Sequence, residues 1–197
     1  MDESDAVIEV HDHRRRLLEG MAHAVAAKGY ADTTIADIVR EAGVSRRTFY
    51  EHFSTKAECL IALYEAASHG ALKVLREAID PSHEWQTQVE QALAAYLAGM
   101  AANPVLLRTL FIEILGLGAE GLAARRRVNQ EIADFMLAAI NGSEGNDKPL
   151  SPRMAMAVVG GITELVLQYI ELDRVPYLQE LVEPSSRLVR AAAAAQP

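Results

Sequence analysis

Thr34-Ile35-Ala36-Asp37-Ile38-Val39-Arg40-Glu41-Ala42-Gly43-Val44-Ser45-Arg46-Arg47-Thr48-Phe49-Tyr50-Glu51-His52-Phe53 reads as two short helices joined by a tight Ala-Gly-Val-Ser turn. Ile35, Ile38, Val39 and Ala42 recur at helical spacing and form the buried stripe of the first helix. Gly43 supplies the left-handed backbone that a sharp turn needs. Ser45 is a good N-cap for the second helix, because its hydroxyl can accept an orphan N–H. Val44 just before it and Phe49 at the fourth helical position have the spacing of a hydrophobic staple, which fixes the angle of entry. Phe53 follows Phe49 by four and extends the buried face. At about 100° per residue, Arg47 and Glu51 then point away from Phe49, with Thr48 and Tyr50 on the flanks. A short helix that buries phenylalanine and turns arginine, threonine and tyrosine outward has the layout of a helix-turn-helix, whose second helix lies in the DNA major groove.

Outward from this stretch the chain continues as helix. Leu18, Met21, Ala22 and Val25 predict a first helix over about residues 14–28, stopped by Gly29, and Thr33 or Thr34 caps the next. Thr55 and Glu58 have capping-box spacing at the start of a helix that runs through Leu60, Leu63 and Tyr64 to about Ala78. Lys56 falls in that helix's first turn, an unfavourable place for a cation, which a nearby phosphate would account for. Asp80-Pro81-Ser82 is a turn signal, and further helices are expected over about residues 83–102, 105–115 and 122–140. Asn141–Asp147 is a polar loop; Ser151-Pro152 opens a helix to about Leu172. A last helix lies between Pro176 and Ala195, kinked near Pro184. The expectation is an all-α chain of about nine helices. It divides into a disordered or frayed tail (1–12), a helix-turn-helix head (13–58) and a helical ligand-binding and dimerisation domain (59–197).

Composition agrees with that class and narrows the partners. Half the residues are apolar and 23% are charged, a balance that disfavours disorder. The net charge of −8 looks wrong for a DNA binder, but residues 14–56 carry eight Lys/Arg against five Asp/Glu. That is +3 on the head and −11 on the rest, so the head is the part suited to phosphate. No apolar run reads as long enough to span a bilayer, no membrane partner is expected, and the N-terminus has no signal-peptide pattern. The single Cys59 excludes an internal disulfide framework; together these point to the cytoplasm. The histidines lack zinc-site spacing, so no metal or cofactor is expected. Cys59 reads as a small core residue. No nucleophile–base set, nucleotide loop or carboxylate pair supports an enzyme, which remains a remote alternative.

Residues 34–60 closely resemble the signature of TetR-family transcriptional regulators. The pattern Thr-x-x-x-Ile-(Val/Ala)-x-x-Ala-Gly-Val-Ser-x-x-Thr-(Phe/Leu)-Tyr-x-(His/Tyr)-Phe-x-(Ser/Thr)-Lys-x-x-Leu is met at nearly every defining position. The resemblance implies a homodimer with two DNA-binding heads, and a repressor released from a palindromic operator when a small apolar molecule binds. It also implies DNA contacts. Thr33 or Thr34 would bond phosphate. Arg46, Arg47 and Thr48, on the helix that Ser45 opens, would face bases or phosphates. Tyr50, His52 and Lys56 would hold the backbone. The position of Arg47 is often a small residue in the family, which makes Arg47 a candidate for operator choice. An activator, or a regulator answering to a protein partner, has the same sequence signature.

Candidate effector-lining residues are Trp85, Tyr96, Met100, Phe111, Met136 and Gln168, although ordinary core is the commoner role for any one of them. Glu113 and Glu164 sit among apolar residues, where either could meet a cationic ligand group. Ala157, Gly160, Gly161 and Glu164 mark a helix face with small residues that permit close approach, the candidate dimer interface. Arg14, Arg15 and Arg16 are either a solvated helix start or an arm that touches DNA.

Overall fold

Caps set the second and third helices. In the computed structural model, residues 3–80, 82–142 and 149–194 are described, with side chains from residue 12 onward. Helix α2 spans Ile35–Ala42, and its N-cap is Thr34, whose hydroxyl accepts the Asp37 N–H. Asp37 returns the bond by accepting the Thr34 N–H at 2.9 Å, closing a capping box. Gly43 ends α2 with φ 62° and ψ 38°, and Val44 N–H reaches back to Val39 O at 3.1 Å. Ser45 caps α3, Arg46–His52, accepting the Thr48 N–H at 3.0 Å. Phe49 has no exposed surface, and its ring centre lies 5.8 Å from that of buried Phe53. Burying one such side chain contributes about 1.5–3 kcal/mol.

Helix α1 runs from Glu3 to Asp32, starting well before the expected residue 14. No glycine or proline precedes Gly20, so nothing breaks the helix earlier. At Gly29 the backbone leaves helical geometry with φ 79° and ψ 162°, yet the chain resumes its turn to Asp32. Gly20 brings α1 and α2 together. A Cβ there would stand 2.6 Å from Ile38 O and 2.9 Å from Ala42 N, so only glycine permits this approach.

Helix α4, Lys56–Glu77, is followed by α5, Trp85–Ala101, and by a continuous helical run from Pro104 to Gly116. That run comprises α6 (Pro104–Arg108), a π-helical turn (Thr109–Glu113) and α7 (Ile114–Gly116). Next come α8, Ala119–Asn141, α9, Pro152–Glu171, a 3₁₀ segment, Val175–Leu181, and α10, Val182–Ala194. Counted with Pro104–Gly116 as one helix, nine helices and no strand occur among the described residues. Most of the Asn141–Asp147 loop lies outside them. Pro184 does not kink a long last helix. The 3₁₀ segment takes up the break, and Pro184 sits in the first turn of α10, where its missing N–H costs nothing.

The chain forms two compact units. One comprises Met1–Ala67 with Arg108–Ala124, the other Ser68–Leu107 with Arg125–Pro197. The first stretch of the first unit ends inside α4, and the π-helical turn joins that unit, where it packs on α1. In the second unit Leu93, Ala133, Ile140, Val158, Ile162 and Val189 form a core to which α5, α8, α9 and α10 all contribute. Contrary to the sequence expectation, α9 is long and apolar enough, by length and composition, to cross a bilayer. Its alanines, glycines and valines are each only mildly apolar, which hides the run, and its Ala155, Val158 and Ile162 face is spent on the core.

Candidate nucleic-acid interface

The first unit presents α3 outward. Arg46, Arg47, Tyr50 and Glu51 are exposed, while Phe49 anchors the opposite side. Arg46 and the Tyr50 hydroxyl have no hydrogen-bond partner among the described residues; the Tyr50 ring rests edge-on against Phe49 at 5.6 Å. Arg47, with 89% of its side chain exposed, donates from Nε to Glu51 Oε1 at 3.0 Å. A solvated pair of this orientation contributes only about 0.2–0.5 kcal/mol. Thr48 is half-buried, its hydroxyl 2.9 Å from that of Ser45.

The remaining expected contacts divide. His52 is half-buried; desolvation, then His13 and Arg14, push its pKa below the usual value, so it is a neutral donor at pH 7 rather than a cation. Thr33 is buried and donates to Gly29 O at 2.7 Å, which takes it out of reach of phosphate. Thr34 is exposed, but its hydroxyl both donates to Asp37 Oδ2 and accepts the Asp37 N–H. Lys56 needs no phosphate to explain it. Its Nζ donates to Tyr30 O (2.9 Å), Ala31 O (3.2 Å) and Thr33 O (2.8 Å), and lies 4.4 Å from the Tyr30 ring centre. Two of the three N–H groups are thus placed on the carbonyl end of α1, the favourable pole of that helix, and the third on Thr33 just beyond it. Arg16 does the same for α2, donating to Ala42 O at 3.0 Å and Gly43 O at 2.7 Å. Arg15 is paired with Asp12 and Glu19 at 2.6 and 2.7 Å, leaving Arg14 as the exposed member of the triplet without an ion pair among the described residues.

Asp37 is the head's polar hub, and the sequence analysis gave it no role. It accepts from Lys28 Nζ at 2.6 Å, from the Thr34 amide and hydroxyl, and from Arg40 at 3.0 Å. The Lys28 hydrogen bond foremost, then those of Thr34, hold its carboxyl far below the usual carboxylate range. The Thr-x-x-Asp spacing was the available signal. Cys59 is fully buried with its Sγ 3.9 Å from Leu17 O, and burial pushes its pKa up to about 12, so no thiolate forms at neutral pH. Among the described residues no group of three or more His, Cys, Asp or Glu could hold a metal.

The second unit holds a partly open cavity of about 80 Å³ whose lining includes Tyr96, Phe135, Met136, Ile162 and Thr163. Tyr96 and Met136 were expected there. Trp85 packs instead on the unit's core, Phe111 lies on the π-helical turn of the first unit, Gln168 is exposed, and Met100 is not in the lining. Neither Glu113 nor Glu164 reaches the lining, and no charged side chain does. The Ile132, Phe135, Met136, Ala139 stripe on α8, at i, i+3, i+4, i+7, was the missed signal. On α9, Ala157 and Glu164 are exposed, a side chain at Gly160 would meet open space, and one at Gly161 would touch Leu188 at 3.3 Å.

Residues 17–63 match the family model for bacterial regulatory proteins of the tetR family. Residues 17–63 thus carry a TetR-family head. The HTH-type transcriptional regulator TtgR of Pseudomonas putida is 40% identical over 58 residues, 29% of this chain and 28% of that protein. The HTH-type transcriptional regulator YxbF of Bacillus subtilis is 31% identical over 77 residues, 39% of this chain and 20% of that one. The matched region therefore spans less than a third of either relative, and it is the head that this chain shares with them. Over the whole fold it is similar to the transcriptional regulator FadR from Bacillus subtilis, solved in complex with stearoyl-CoA. That likeness has a TM-score of 0.73 at 17% identity and covers 89% of this chain and 96% of the other. These relatives are transcriptional regulators, and an enzymatic role finds no support among them.

Proposed function

We propose that this TetR-family chain is a homodimeric repressor that binds a palindromic operator and releases it when a small apolar effector binds. The observation that carries the reading is the outward face of α3, where Arg46, Arg47 and Tyr50 stand opposite the buried Phe49. In this reading α3 enters the major groove. Arg46, Arg47 and Thr48 meet bases or phosphates beside Ser45, while Tyr50 and His52 hold the backbone. DNA contact belongs to residues 13–58, and ligand and dimer contacts to residues 59–197. Two-fold symmetry calls for half-sites about 34–36 Å apart, or a multiple of that. The dimer would pair α9 and α10 with those of a second copy as a four-helix bundle, with Ala157, Gly160, Gly161 and Glu164 at the seam.

The cavity favours a small-molecule effector over a protein partner. Its lining carries no charge, and the Thr163 hydroxyl already donates to Val159 O at 2.8 Å, so it suits an apolar group. Of the stearoyl-CoA held by FadR of Bacillus subtilis, the acyl chain is a group of that apolar chemistry. Such a ligand shifts DNA affinity only as far as its own affinities for the bound and released states differ. The site of action is the cytoplasm, at the nucleoid. The test is selection of full-length protein on randomised duplexes, followed by anisotropy titration of the selected site. A two-fold-symmetric site bound by a dimer is expected, with apolar compounds weakening binding. A monomer with no preference among duplexes would overturn the reading.

A further inference from the structure

Arg47 and Glu51 form an ion pair on the outward face of α3, one helical turn apart. The contact uses Arg47 Nε, the side edge of the guanidinium, and Glu51 Oε1. Both Nη groups, at the end of the side chain, have no acceptor among the described residues. An Arg held this way keeps free the parallel fork that matches O6 and N7 of guanine. A long exposed Arg otherwise samples many rotamers, and ordering one of them on binding costs entropy. Glu51 restricts that sampling before DNA arrives. The pair is weak in water, but a duplex that displaces solvent strengthens it just where the arginine has to hold its pose.

We propose that Glu51 determines operator specificity as a positioning residue: it holds the Arg47 guanidinium by its Nε edge for end-on reading of a guanine. It does so without touching the base. The inference rests on α3 occupying the major groove. The same carboxylate places a negative charge near phosphate, which lowers affinity for arbitrary duplex and widens the gap between cognate and random sites.

The test compares selections of full-length wild type, Arg47→Ala, Glu51→Ala, Glu51→Gln and the double Arg47→Ala/Glu51→Ala variant on a randomised duplex library. Anisotropy on single-base variants of the selected site then gives the selectivity at each position. Both positions are solvent-exposed, so the variants are expected to melt like wild type. Arg47→Ala and Glu51→Ala should relax preference at the same base pair, by roughly fivefold or more. Glu51→Gln, which keeps an acceptor oxygen, should retain most of it. The double variant should lose nothing beyond Arg47→Ala. Full preference in Glu51→Ala at the position that Arg47→Ala relaxes would overturn the positioning role and leave the groove reading intact. Equal relaxation in Glu51→Gln and Glu51→Ala would overturn it too, since charge alone would then be acting. If Arg47→Ala selects the wild-type site unchanged, base reading by this face is wrong and the role of Glu51 goes with it.

Discussion

Asp37 shows how one side chain organises the head. It closes the α2 capping box and ties Lys28 and Arg40 to that helix. Each of those bonds favours the carboxylate over the acid, so its pKa in the folded chain lies below that of the unfolded chain. The unfolded chain therefore binds a proton first as pH falls. The stability that Asp37 contributes is complete above about pH 3.9, the unfolded value, and drains away as pH drops toward the folded one. Asp37→Asn, which keeps the shape and loses the charge, should melt below wild type at pH 7. The gap should narrow in melts at progressively lower pH, beginning below about pH 4. A gap that stays constant from pH 7 to pH 2 would show that charge at this site does not support the fold.

Among the elements, the joint between α1 and α4 depends on Lys56. Its ammonium takes the Tyr30 and Ala31 carbonyls in the last turn of α1 and the Thr33 carbonyl just beyond it, which is a structural use of a residue that the family resemblance assigns to DNA. Lys56→Ala should therefore lower stability by about 1–3 kcal/mol in denaturant titration, the range for losing hydrogen bonds to a charged group. The salt dependence of DNA binding should keep its slope; a phosphate contact would instead reduce that slope by about 0.9. Why the sequence did not show this is a matter of distance. Caps and staples act over three to five residues, so Thr34, Gly43, Ser45 and the Val44–Phe49 staple could be placed from the chain alone. Lys56 meets residues more than twenty positions away, and Gly20 matters only because Ile38 and Ala42 back onto it. Nothing local marks either. The cavity failed for a related reason. Trp85, Phe111 and Gln168 have the right chemistry on plausible helices, but lining a cavity depends on which face each helix buries. The α8 stripe, and Val89, Ala92, Leu93 and Tyr96 at the same spacing on α5, carried that information.

At the scale of the whole molecule, charge and symmetry decide what a dimer can do. A chain with −8 overall and +3 on residues 14–56 has to bring DNA to its head and keep it off the rest. One such head reads too few base pairs to find an operator in a genome, and a second copy supplies the other half-site. If α9 forms the seam, Gly160 offers a clean test, because a Cβ there meets no atom of its own chain within 4 Å. Gly160→Arg should leave the isolated fold intact, since arginine favours helix over glycine by several tenths of a kcal/mol. In a symmetric interface the substitution appears twice, opposing two bulky cations across a close helix contact. Sedimentation velocity should then show a monomer with native helical circular dichroism. Operator affinity should fall by at least tenfold, because the second half-site no longer arrives tethered to the first. A variant that remains a dimer with wild-type operator affinity would place the subunit interface on another surface of the chain, and would free the small residues of α9 for a different explanation.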